Sequence, residues 1–402
     1  MSRRTTVRWA RLAAVTVAAA ALRATPAPAA VTPPDGVITW GASAYAIGDS
    51  AADRGYRMVV HTSVGGRDAR VRLSNAFGHQ PVTFDSVYAG LQAKDAALVR
   101  GTNRRLTFDG ASSVTVDPGA TVYSDPLPGH LAAGSNLVVS LHTPDASGPV
   151  TGHWMALQTS YATRGDHTAE ESGIHWTEPI GSWLYLDAVS VRTPAATGAV
   201  VALGDSITDG WQSTSDRDRR WPDYLARRLQ KAHTQVKGVA NEGISGNKVL
   251  ADGAGPSALN RLERDVISQP GVRTVFLFEG VNDLKAHSGV TAPDLIAGYR
   301  EIVDRAHDAG KCVVVSTIAP FKGWPEWDPA AEAVRQEVNG FIRSHRDEFD
   351  AVTDFDRVLR SPYDPERMLP VFDGGDHIHP GDKGMQAMAD SVDLNSLDCA
   401  RR

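Results

Sequence analysis

The chain shows two different patterns of hydrophobic and polar positions. Before about residue 192, apolar residues alternate with polar ones, as Ala69, Val71 and Leu73 do. A period of two is typical of a half-buried strand. Further short strand-like runs, separated by turn-rich segments, span residues 84–91, 105–108, 113–116, 136–142, 155–161 and 184–191. Short strands at this spacing, with hardly any helical period, favour an antiparallel sandwich or jelly roll.

After about residue 198, strand-like and helical segments alternate. The strand-like runs are residues 199–203, 236–240, 274–278 and 311–317. The helical runs are residues 222–231, 293–309, 330–346 and 381–392. This alternation predicts right-handed crossovers and a parallel sheet with helices on both faces. Active sites of such sheets lie beyond the carboxyl ends of the strands, so the polar residues that follow the strands are the candidates.

The length and the change of pattern together predict two domains. A chain of 402 residues is longer than one typical compact core needs. The small residues of segment 194–198 separate the two patterns. We therefore predict an all-β accessory domain at residues 31–195 and an α/β catalytic domain at residues 196–402.

The first thirty residues have the pattern of a signal peptide. A basic start that includes Arg3 and Arg4 precedes a short apolar run at 12–22 and small residues at 27–30. The apolar run is too short for a bilayer, which needs about twenty residues. A mitochondrial-type leader is an alternative, and the arginine pair leaves a twin-arginine export route open. We expect a secreted, extracellular protein without a stable membrane anchor.

Charge and cysteine content exclude little else. The net charge of -6 and the pI near 6.1 give no basic surface for nucleic acid or for an anionic membrane. The composition, 42% hydrophobic and 22% charged, is that of a soluble globular protein. Cys312 and Cys399 could form a disulfide in an oxidising compartment, or Cys312 could be buried and free. The sequence leaves both alternatives open.

A serine follows the first strand of the predicted parallel sheet. Gly204, Asp205 and Ser206 come directly after the strand at 199–203. Gly204 permits a sharp turn, and the main-chain N–H of Ser206 could face a developing oxyanion. The tripeptide alone is weak support for a catalytic serine, because it also forms ordinary turns.

Three further segments strengthen this interpretation. Gly246 and Asn282 follow the strands at 236–240 and 274–278, and Asp376 and His379 share a loop near the C-terminus. A nucleophilic serine needs a base, and the base needs a carboxylate that orients it. Asp376 and His379 could supply both. Ser206, Gly246 and Asn282 could donate three hydrogen bonds to the oxyanion.

In this order, the four segments resemble the SGNH (GDSL-type) hydrolase family from residue 199 to the C-terminus. The resemblance implies a three-layer, flavodoxin-like α/β fold and hydrolysis of acyl esters without metal or cofactor. The family's nucleophile falls on Ser206, its oxyanion residues on Gly246 and Asn282, and the other triad members on Asp376 and His379. The strand-rich first half resembles the extra domain of secreted actinobacterial members.

Alternative interpretations remain at the C-terminal loop. His377 competes with His379 as the base, but its position next to Asp376 makes the orienting hydrogen bond harder to form. Asp373 is a weaker substitute for Asp376. The four residues could instead bind a metal, which would leave the serine, glycine and asparagine segments unexplained. Two further acids at the strand ends are interpreted as structural: Asp205 and Asp283.

The substrate is less defined than the chemistry. Tryptophans near the motifs could line an acyl or sugar pocket or pack in loops: Trp211, Trp324 and Trp327. Those of the first half could bind sugar or fill a core: Trp40, Trp154, Trp176 and Trp183. We expect a small acyl ester or an acetylated polysaccharide as substrate, with possible polysaccharide contact by the N-terminal domain. A carbohydrate deacetylase is the first interpretation, by fold-level analogy. A lipase or phospholipase and a non-catalytic carbohydrate-binding protein are the alternatives.

Overall fold

The computed structural model describes residues 35–194, 197–285 and 287–398. These residues belong to one compact unit, Val31–Arg402. The predicted signal peptide at residues 1–30 lies outside the described residues. The predicted domain boundary falls on residues 195 and 196, which are not described either, so the division into two domains stays a prediction.

The first part of the chain, up to Arg192, is strand-rich, and its strands pair antiparallel. They are β1 (Val37–Gly41), β2 (Tyr45–Asp49), β3 (Arg54–His61), β4 (Gly66–Ser74), β5 (Val82–Phe84), β6 (Ser86–Lys94), β7 (Ala97–Leu98), β8 (Arg104–Arg105), β9 (Val114–Val116), β10 (Thr121–Tyr123), β11 (Leu127–Leu131), β12 (Asn136–Thr143), β13 (Pro149–His153), β14 (Ser160–Arg164), β15 (Glu178–Ile180), β16 (Trp183–Leu184) and β17 (Leu186–Arg192). We call this part the N-terminal β region.

Two larger sheets dominate the N-terminal β region. One has the order β1-β17-β4-β10, with β11 also paired to β4. The other has the order β15-β14-β3-β12-β6-β7, with β8 paired to β6. Smaller sheets are formed by β16-β13-β2 and by β5-β9. The antiparallel pairing was predicted from the alternation, whereas the sandwich or jelly-roll arrangement stays a prediction.

Two predicted strands of this region are mostly loop. The strand predicted at 105–108 is confirmed only at Arg105, where β8 ends. The sequence pattern predicted a strand at 155–161, but β14 begins only at Ser160. Leu157 has φ +49, which an extended strand does not allow. Thr159 is held from outside the sheet, because its main-chain N–H and side-chain hydroxyl both donate to the carboxylate of Asp216. This loop is therefore held by its contact with Asp216, in the second part of the chain, rather than by pairing within a sheet.

The second part of the chain, from Gly198 onward, alternates strands and helices as predicted; we call it the α/β region. Its strands are β18 (Gly198–Gly204), β19 (Val236–Gly243), β20 (Val272–Phe278), β21 (Cys312–Ser316) and β22 (Ala351–Thr353). Its helices are α1 (Ser206–Asp209), α2 (Trp221–Lys231), α3 (Ala258–Leu262), α4 (Val281–Leu284), α5 (Ala292–Asp308), α6 (Pro329–Ser344), α7 (Phe355–Leu359) and α8 (Asp382–Ser391), with short π and 3₁₀ turns at Glu263–Ile267, Arg346–Glu348 and Leu394–Leu397.

The five strands of the α/β region form one parallel sheet. Their order is β19-β18-β20-β21-β22, which is the flavodoxin-like order with the first strand second from the edge. Alternate side chains of a strand point to opposite faces. Val200 and Phe276 share a core with Met385 of α8, whereas Val201 shares the other core with Ile302 of α5. Helices therefore cover both faces of the sheet, and the predicted three-layer α/β fold is confirmed.

The N-terminal β region packs directly against the α/β region. Ile38 of β1 belongs to the same buried core as Val201 of β18. The main-chain N–H of Ile38 donates to the carbonyl of Pro270 at 2.9 Å. Among the described residues, no helix combines the length and the apolar character that a membrane span needs. Cys312 is not a free cysteine, but Cys399 lies outside the described residues, and their disulfide stays a prediction.

Candidate active site

Three of the predicted site residues form one hydrogen-bonded row. Ser206 Oγ lies 2.8 Å from His379 Nε2. On the other side of the ring, His379 Nδ1 lies 2.8 Å from Asp376 Oδ2. This is the geometry in which an imidazole can take a proton from a serine while a carboxylate stabilises the charged ring. The serine and the histidine are each 6% exposed, so a substrate carbonyl would meet them in a mostly dry environment.

The turn that carries Ser206 depends on its neighbours. A side chain at Gly204 would place its Cβ 2.5 Å from the carbonyl oxygen of Phe278, so only glycine fits between β18 and β20. Asp205 caps α1 by accepting a hydrogen bond from the main-chain N–H of Ile207 at 2.8 Å. Ser206 is the first residue of that helix, where main-chain N–H groups have no helical acceptor. Its N–H is therefore available to a ligand.

The carboxylate of Asp376 is fixed by its own loop. Its Oδ1 accepts hydrogen bonds from the main-chain N–H groups of Ile378 (3.2 Å) and His379 (2.9 Å). Burial alone would raise the pKa of Asp376, but these bonds and the one from the His379 ring outweigh it and hold that pKa well below its usual range. The carboxylate is therefore charged near neutral pH, as the predicted orienting role requires.

The competing residues of the same loop are paired elsewhere. His377 Nδ1 lies 2.7 Å from Asp373 Oδ2, and the ring of His377 is half exposed. His377 and Asp373 thus form a separate pair, apart from the row that contains Ser206. The geometry favours His379 over His377 as the base and gives no support to a metal cluster made of all four residues.

One other group of residues in the described part of the chain could hold a metal ion. Ligand atoms of His167, Glu170 and His175 lie within 4.8 Å of one another. The two imidazoles already share the carboxylate, at 2.8 Å and 2.7 Å from its oxygens. This group lies in the N-terminal β region and holds a loop together there. The triad residues need no metal for the chemistry described above.

The predicted oxyanion residues lie at the same edge of the sheet as Ser206. Gly246 follows β19 and Asn282 lies in α4 after β20, and these two strands flank β18. Gly246 is exposed and has φ +82, a conformation that favours glycine. Asn282 is buried and donates one amide hydrogen to the carbonyl of Asn247 at 2.8 Å, which leaves its second hydrogen for a ligand. Their role as oxyanion donors stays a prediction.

A buried acid that sequence reasoning missed lies beside the nucleophile turn. Among the described residues, no N–H group or hydroxyl donates to either carboxylate oxygen of Glu279, and the polar group that acts on it by a side-chain hydrogen bond is the carboxyl group of Asp205. Burial and the neighbouring carboxylate of Asp205 raise the pKa of Glu279 well above its ordinary value, and burial also raises the pKa of Asp205. Two adjacent buried carboxyl groups of this kind share one proton, and we assign it to Glu279. Nothing in the sequence marks this residue.

Asp283, which was interpreted as a structural acid, orients a loop. Asp283 accepts hydrogen bonds from the main-chain N–H groups of Val249 (2.9 Å) and Leu250 (3.1 Å). Burial raises the pKa of Asp283 to about 6. The carboxylate thus ties the segment that follows Gly246 to α4, the helix that carries Asn282.

The tryptophans divide between the site and the cores. The rings of Trp211 and Trp324 lie 6.1 Å and 5.9 Å from the ring of His379, so both border the site. Trp327 is partly buried against the core and donates its Nε1–H toward Glu332. Of the four in the N-terminal β region, three are buried core residues, namely Trp40, Trp176 and Trp183. Only Trp154, which is 56% exposed, could bind a sugar.

Sequence reasoning also missed a contact from the N-terminal β region. His153 Nε2 lies 3.0 Å from Asp209 Oδ1, and Asp209 is the third residue after Ser206. Both side chains are buried. The position of Asp209 within the serine motif could have drawn attention to it, but an isolated histidine at the end of β13 carries no sequence signal.

Comparison with known families gives one match. The GDSL-like lipase/acylhydrolase family matches residues 202–387. This range contains all five predicted site residues. A comparison with curated proteins finds no match.

Solved structures match about half of the chain. A carbohydrate acetylesterase from Sinorhizobium meliloti is 20% identical over 48% of this chain and 95% of its own, with a TM-score of 0.37. The M. smegmatis aryl esterase is 20% identical over 48% and 95%, with a TM-score of 0.38. A GDSL-like lipase from Bacteroides thetaiotaomicron VPI-5482 is 17% identical over 49% and 87%, with a TM-score of 0.39. Likenesses this distant carry no conclusion about substrate.

Proposed function

The chain belongs, through residues 202–387, to the GDSL-like lipase/acylhydrolase family and is a carboxylic ester hydrolase; from this premise we propose that Ser206 is its nucleophile and that the protein is a secreted carbohydrate deacetylase. The observation that carries the nucleophile is the hydrogen-bonded row of Ser206, His379 and Asp376. Exposed serine turns are common, but a serine bonded to an imidazole that is itself bonded to a fixed carboxylate is rare outside hydrolytic sites.

The reaction has two halves. Ser206 Oγ attacks the ester carbonyl while His379 Nε2 takes the serine proton, and the carbonyl oxygen becomes the oxyanion. The main-chain N–H groups of Ser206 and Gly246 and the amide of Asn282 donate hydrogen bonds to that oxyanion. The ester C–O bond then breaks, and His379 returns the proton to the leaving alcohol. A water molecule, deprotonated by His379, attacks the acyl-serine, and the acid leaves as Ser206 regains its proton.

An acetylated polysaccharide is the proposed substrate. The support is an open groove with a volume of about 400 Å³, lined mainly by the N-terminal β region, including Trp154, Met155 and Ile180, and by Ser215 of the α/β region. Met155 Sδ lies 3.6 Å from the hydroxyl of Ser245, the residue before Gly246, so the groove begins beside the proposed oxyanion site. An exposed indole beside a groove is suited to stacking on a sugar ring. The acetyl ester would then lie at Ser206 while the polysaccharide chain continues along the N-terminal β region.

The chemical part of the proposal is tested with a short-chain aryl ester. Wild type should hydrolyse p-nitrophenyl acetate, and Ser206→Ala should lose at least about 10⁴-fold in kcat, because no other group at the site can form the acyl intermediate. Ser213→Ala, a buried serine of the following loop, is the control and should keep its rate within about twofold. An inactive wild type, or an alanine variant at position 206 that retains its rate, would reject the assignment.

Two further measurements test the substrate and the location. Release of acetate from acetylated xylan is compared with release of fatty acid from phospholipid vesicles; fatty acid alone would reject the deacetylase in favour of a lipase. For export, the full gene is expressed in a secreting host and the mature N-terminus is determined by mass spectrometry of the culture medium. Cleavage near residue 30 is expected, and an intact, intracellular chain would reject secretion.

A further inference from the structure

The N-terminal β region places a charged imidazole behind the active site. His153 ends β13 and is 2% exposed. Its Nδ1 lies 2.9 Å from the main-chain carbonyl oxygen of Ser43. Its Nε2 lies 3.0 Å from Asp209 Oδ1 and 3.1 Å from the carbonyl oxygen of Met155. All three oxygens are acceptors, so both ring nitrogens must donate and the ring carries a positive charge.

The charged groups around His153 support this protonation state. Burial alone lowers the pKa of His153, but the attraction and the hydrogen bond of Asp209 outweigh burial and raise that pKa above its ordinary value. Arg220 opposes the shift. The ring of Tyr45 lies 6.2 Å away, and burial raises the pKa of Tyr45 to about 12, so that phenol is neutral. The indole of Trp183 covers the imidazole at 5.5 Å.

Asp209 connects this charge to the loop of Gly246. Its Oδ1 faces His153, and its Oδ2 accepts hydrogen bonds from the main-chain N–H of Ser245 at 3.0 Å and from the hydroxyl of Ser245 at 2.8 Å. Asp209 is 1% exposed, and the two bonds from Ser245 use its second oxygen. The main chain immediately before Gly246 is thus held by one buried carboxylate.

We propose that His153 is a positioning residue for ester hydrolysis: its ion pair with Asp209 fixes Ser245 and thereby the main-chain N–H of Gly246 that binds the oxyanion. The inference rests on the proposed function, because it assigns His153 to the oxyanion site of that reaction. It also gives the N-terminal β region a role in the chemistry itself, in addition to any role in binding polysaccharide.

The physical reason is the cost of an unpaired buried charge. Without the imidazolium, the buried carboxylate of Asp209 would lose the charged partner of its Oδ1, and removing one partner of a buried ion pair is strongly destabilising. The carboxylate would then reorient, which weakens the two bonds to Ser245. A displacement of a catalytic group by about 1 Å can cost about 100-fold in rate. Because the oxyanion exists only after attack has begun, kcat should fall while KM stays constant.

The test compares two buried histidines of the N-terminal β region. His153→Gln keeps a hydrogen-bond donor but removes the charge. His142→Gln is the matched control, because His142 is also a buried histidine that contacts carboxylates. Its Nδ1 lies 2.8 Å from Asp85 and its Nε2 3.3 Å from Asp53, but it lies in β12 between β3 and β6. For p-nitrophenyl acetate, His153→Gln should lower kcat about 10- to 100-fold with KM within about twofold. His142→Gln should leave both constants within about twofold.

A second readout does not depend on activity. Hydrogen–deuterium exchange of the main-chain amides at residues 243–249 should be faster in His153→Gln than in wild type, and unchanged in His142→Gln. If His153→Gln does not fold, Ser245→Ala takes its place, since it removes one of the two bonds to Asp209 at a half-buried position. That variant should lower kcat about three- to tenfold with KM unchanged.

The outcomes separate this inference from the proposed function. An inactive wild type rejects the proposed function and this inference with it. An active wild type and an inactive Ser206→Ala, together with full kcat and unchanged exchange in His153→Gln, reject this inference alone. Where His153→Gln cannot be purified, full kcat in Ser245→Ala likewise rejects this inference and leaves the proposed function standing. An equal loss of kcat in His142→Gln would show a general effect of replacing a buried histidine and would also reject it.

Discussion

The α/β region and the N-terminal β region contribute to the candidate site in different ways. The α/β region places Ser206, Gly246 and Asn282 after three adjacent parallel strands, so their convergence follows from the sheet itself. The N-terminal β region reaches the site through the end of β13 and the loop that follows it. The α/β region places the predicted reactive groups at the ends of regular strands, whereas the N-terminal β region contacts their surroundings through a strand end and a loop.

Buried polar and charged contacts connect the two regions in addition to the shared apolar core. The guanidinium of Arg261, which is fully buried, donates to the hydroxyl of Ser43 at 2.7 Å and to the carbonyl of Gly204 at 2.9 Å. His153 contacts the carbonyl of Ser43 and the carboxylate of Asp209. Fully buried polar contacts of this kind are costly when one partner is lost. The N-terminal β region is therefore part of the structure that holds the turn of Gly204 and Ser206.

The largest effect is expected in the α/β region, at the base. His379→Ala should lower kcat about 10⁴-fold or more, since Ser206 would lose the group that takes its proton. His377→Ala, two residues away in the same loop, should leave kcat within about twofold, because His377 pairs with Asp373. Rates are measured with p-nitrophenyl acetate. Equal losses in both variants would mean that the loop, rather than one imidazole, carries the effect.

A smaller loss is expected from the predicted oxyanion amide. Asn282→Ala should lower kcat about 100- to 1000-fold with little change in KM, because its hydrogen bond forms only in the transition state. The variant also loses the bond to the carbonyl of Asn247, so the melting temperature is measured in parallel. A rise in KM with an unchanged kcat would move Asn282 from the oxyanion site to substrate binding.

The N-terminal β region should affect large substrates more than small ones. Trp154→Ala should raise KM for acetylated xylan about three- to tenfold, since an exposed indole stacks on sugar rings, and should leave p-nitrophenyl acetate unaffected. Tyr363→Ala is the matched control, because Tyr363 is a 95% exposed aromatic residue of the α/β region. A similar rise in KM for both substrates would place Trp154 at the reacting ester instead of along the polysaccharide.

The smallest effect near neutral pH is expected at the buried acid of the α/β region. Burial and the neighbouring carboxylate of Asp205 raise the pKa of Glu279, and we expect the neutral Glu279→Gln to keep kcat within about threefold at pH 7. The stability that a raised carboxyl pKa contributes is present below the unfolded value and is lost as pH rises through the folded value. Urea unfolding should therefore show Glu279→Gln gaining stability over wild type with rising pH. A difference that is constant from pH 5 to pH 9 would contradict this raised pKa of Glu279.

The sequence alone determined the fold class of the α/β region and the residues of the candidate site. The periods of 2 and 3.6 are local properties of the chain, so the main strands and helices of this region could be predicted within a few residues. Parallel strands end at one edge of a sheet, so motifs that follow such strands must meet there. The family resemblance then assigned Asp376 and His379, and the structure brings both to Ser206.

Only the tertiary structure decided which polar groups are buried together. The loop at residues 155–159 was wrongly predicted as a strand from its local pattern. The contact of Thr159 with Asp216, which holds it outside the sheet, joins positions far apart in the chain. Three tryptophans of the N-terminal β region are core residues, and the sequence had left sugar binding and core packing open for them. The pairing of His153 with Asp209 depends on how two regions pack, and no periodicity encodes such packing. Local pattern specifies elements, whereas burial and charge pairing between distant residues exist only once the chain has folded.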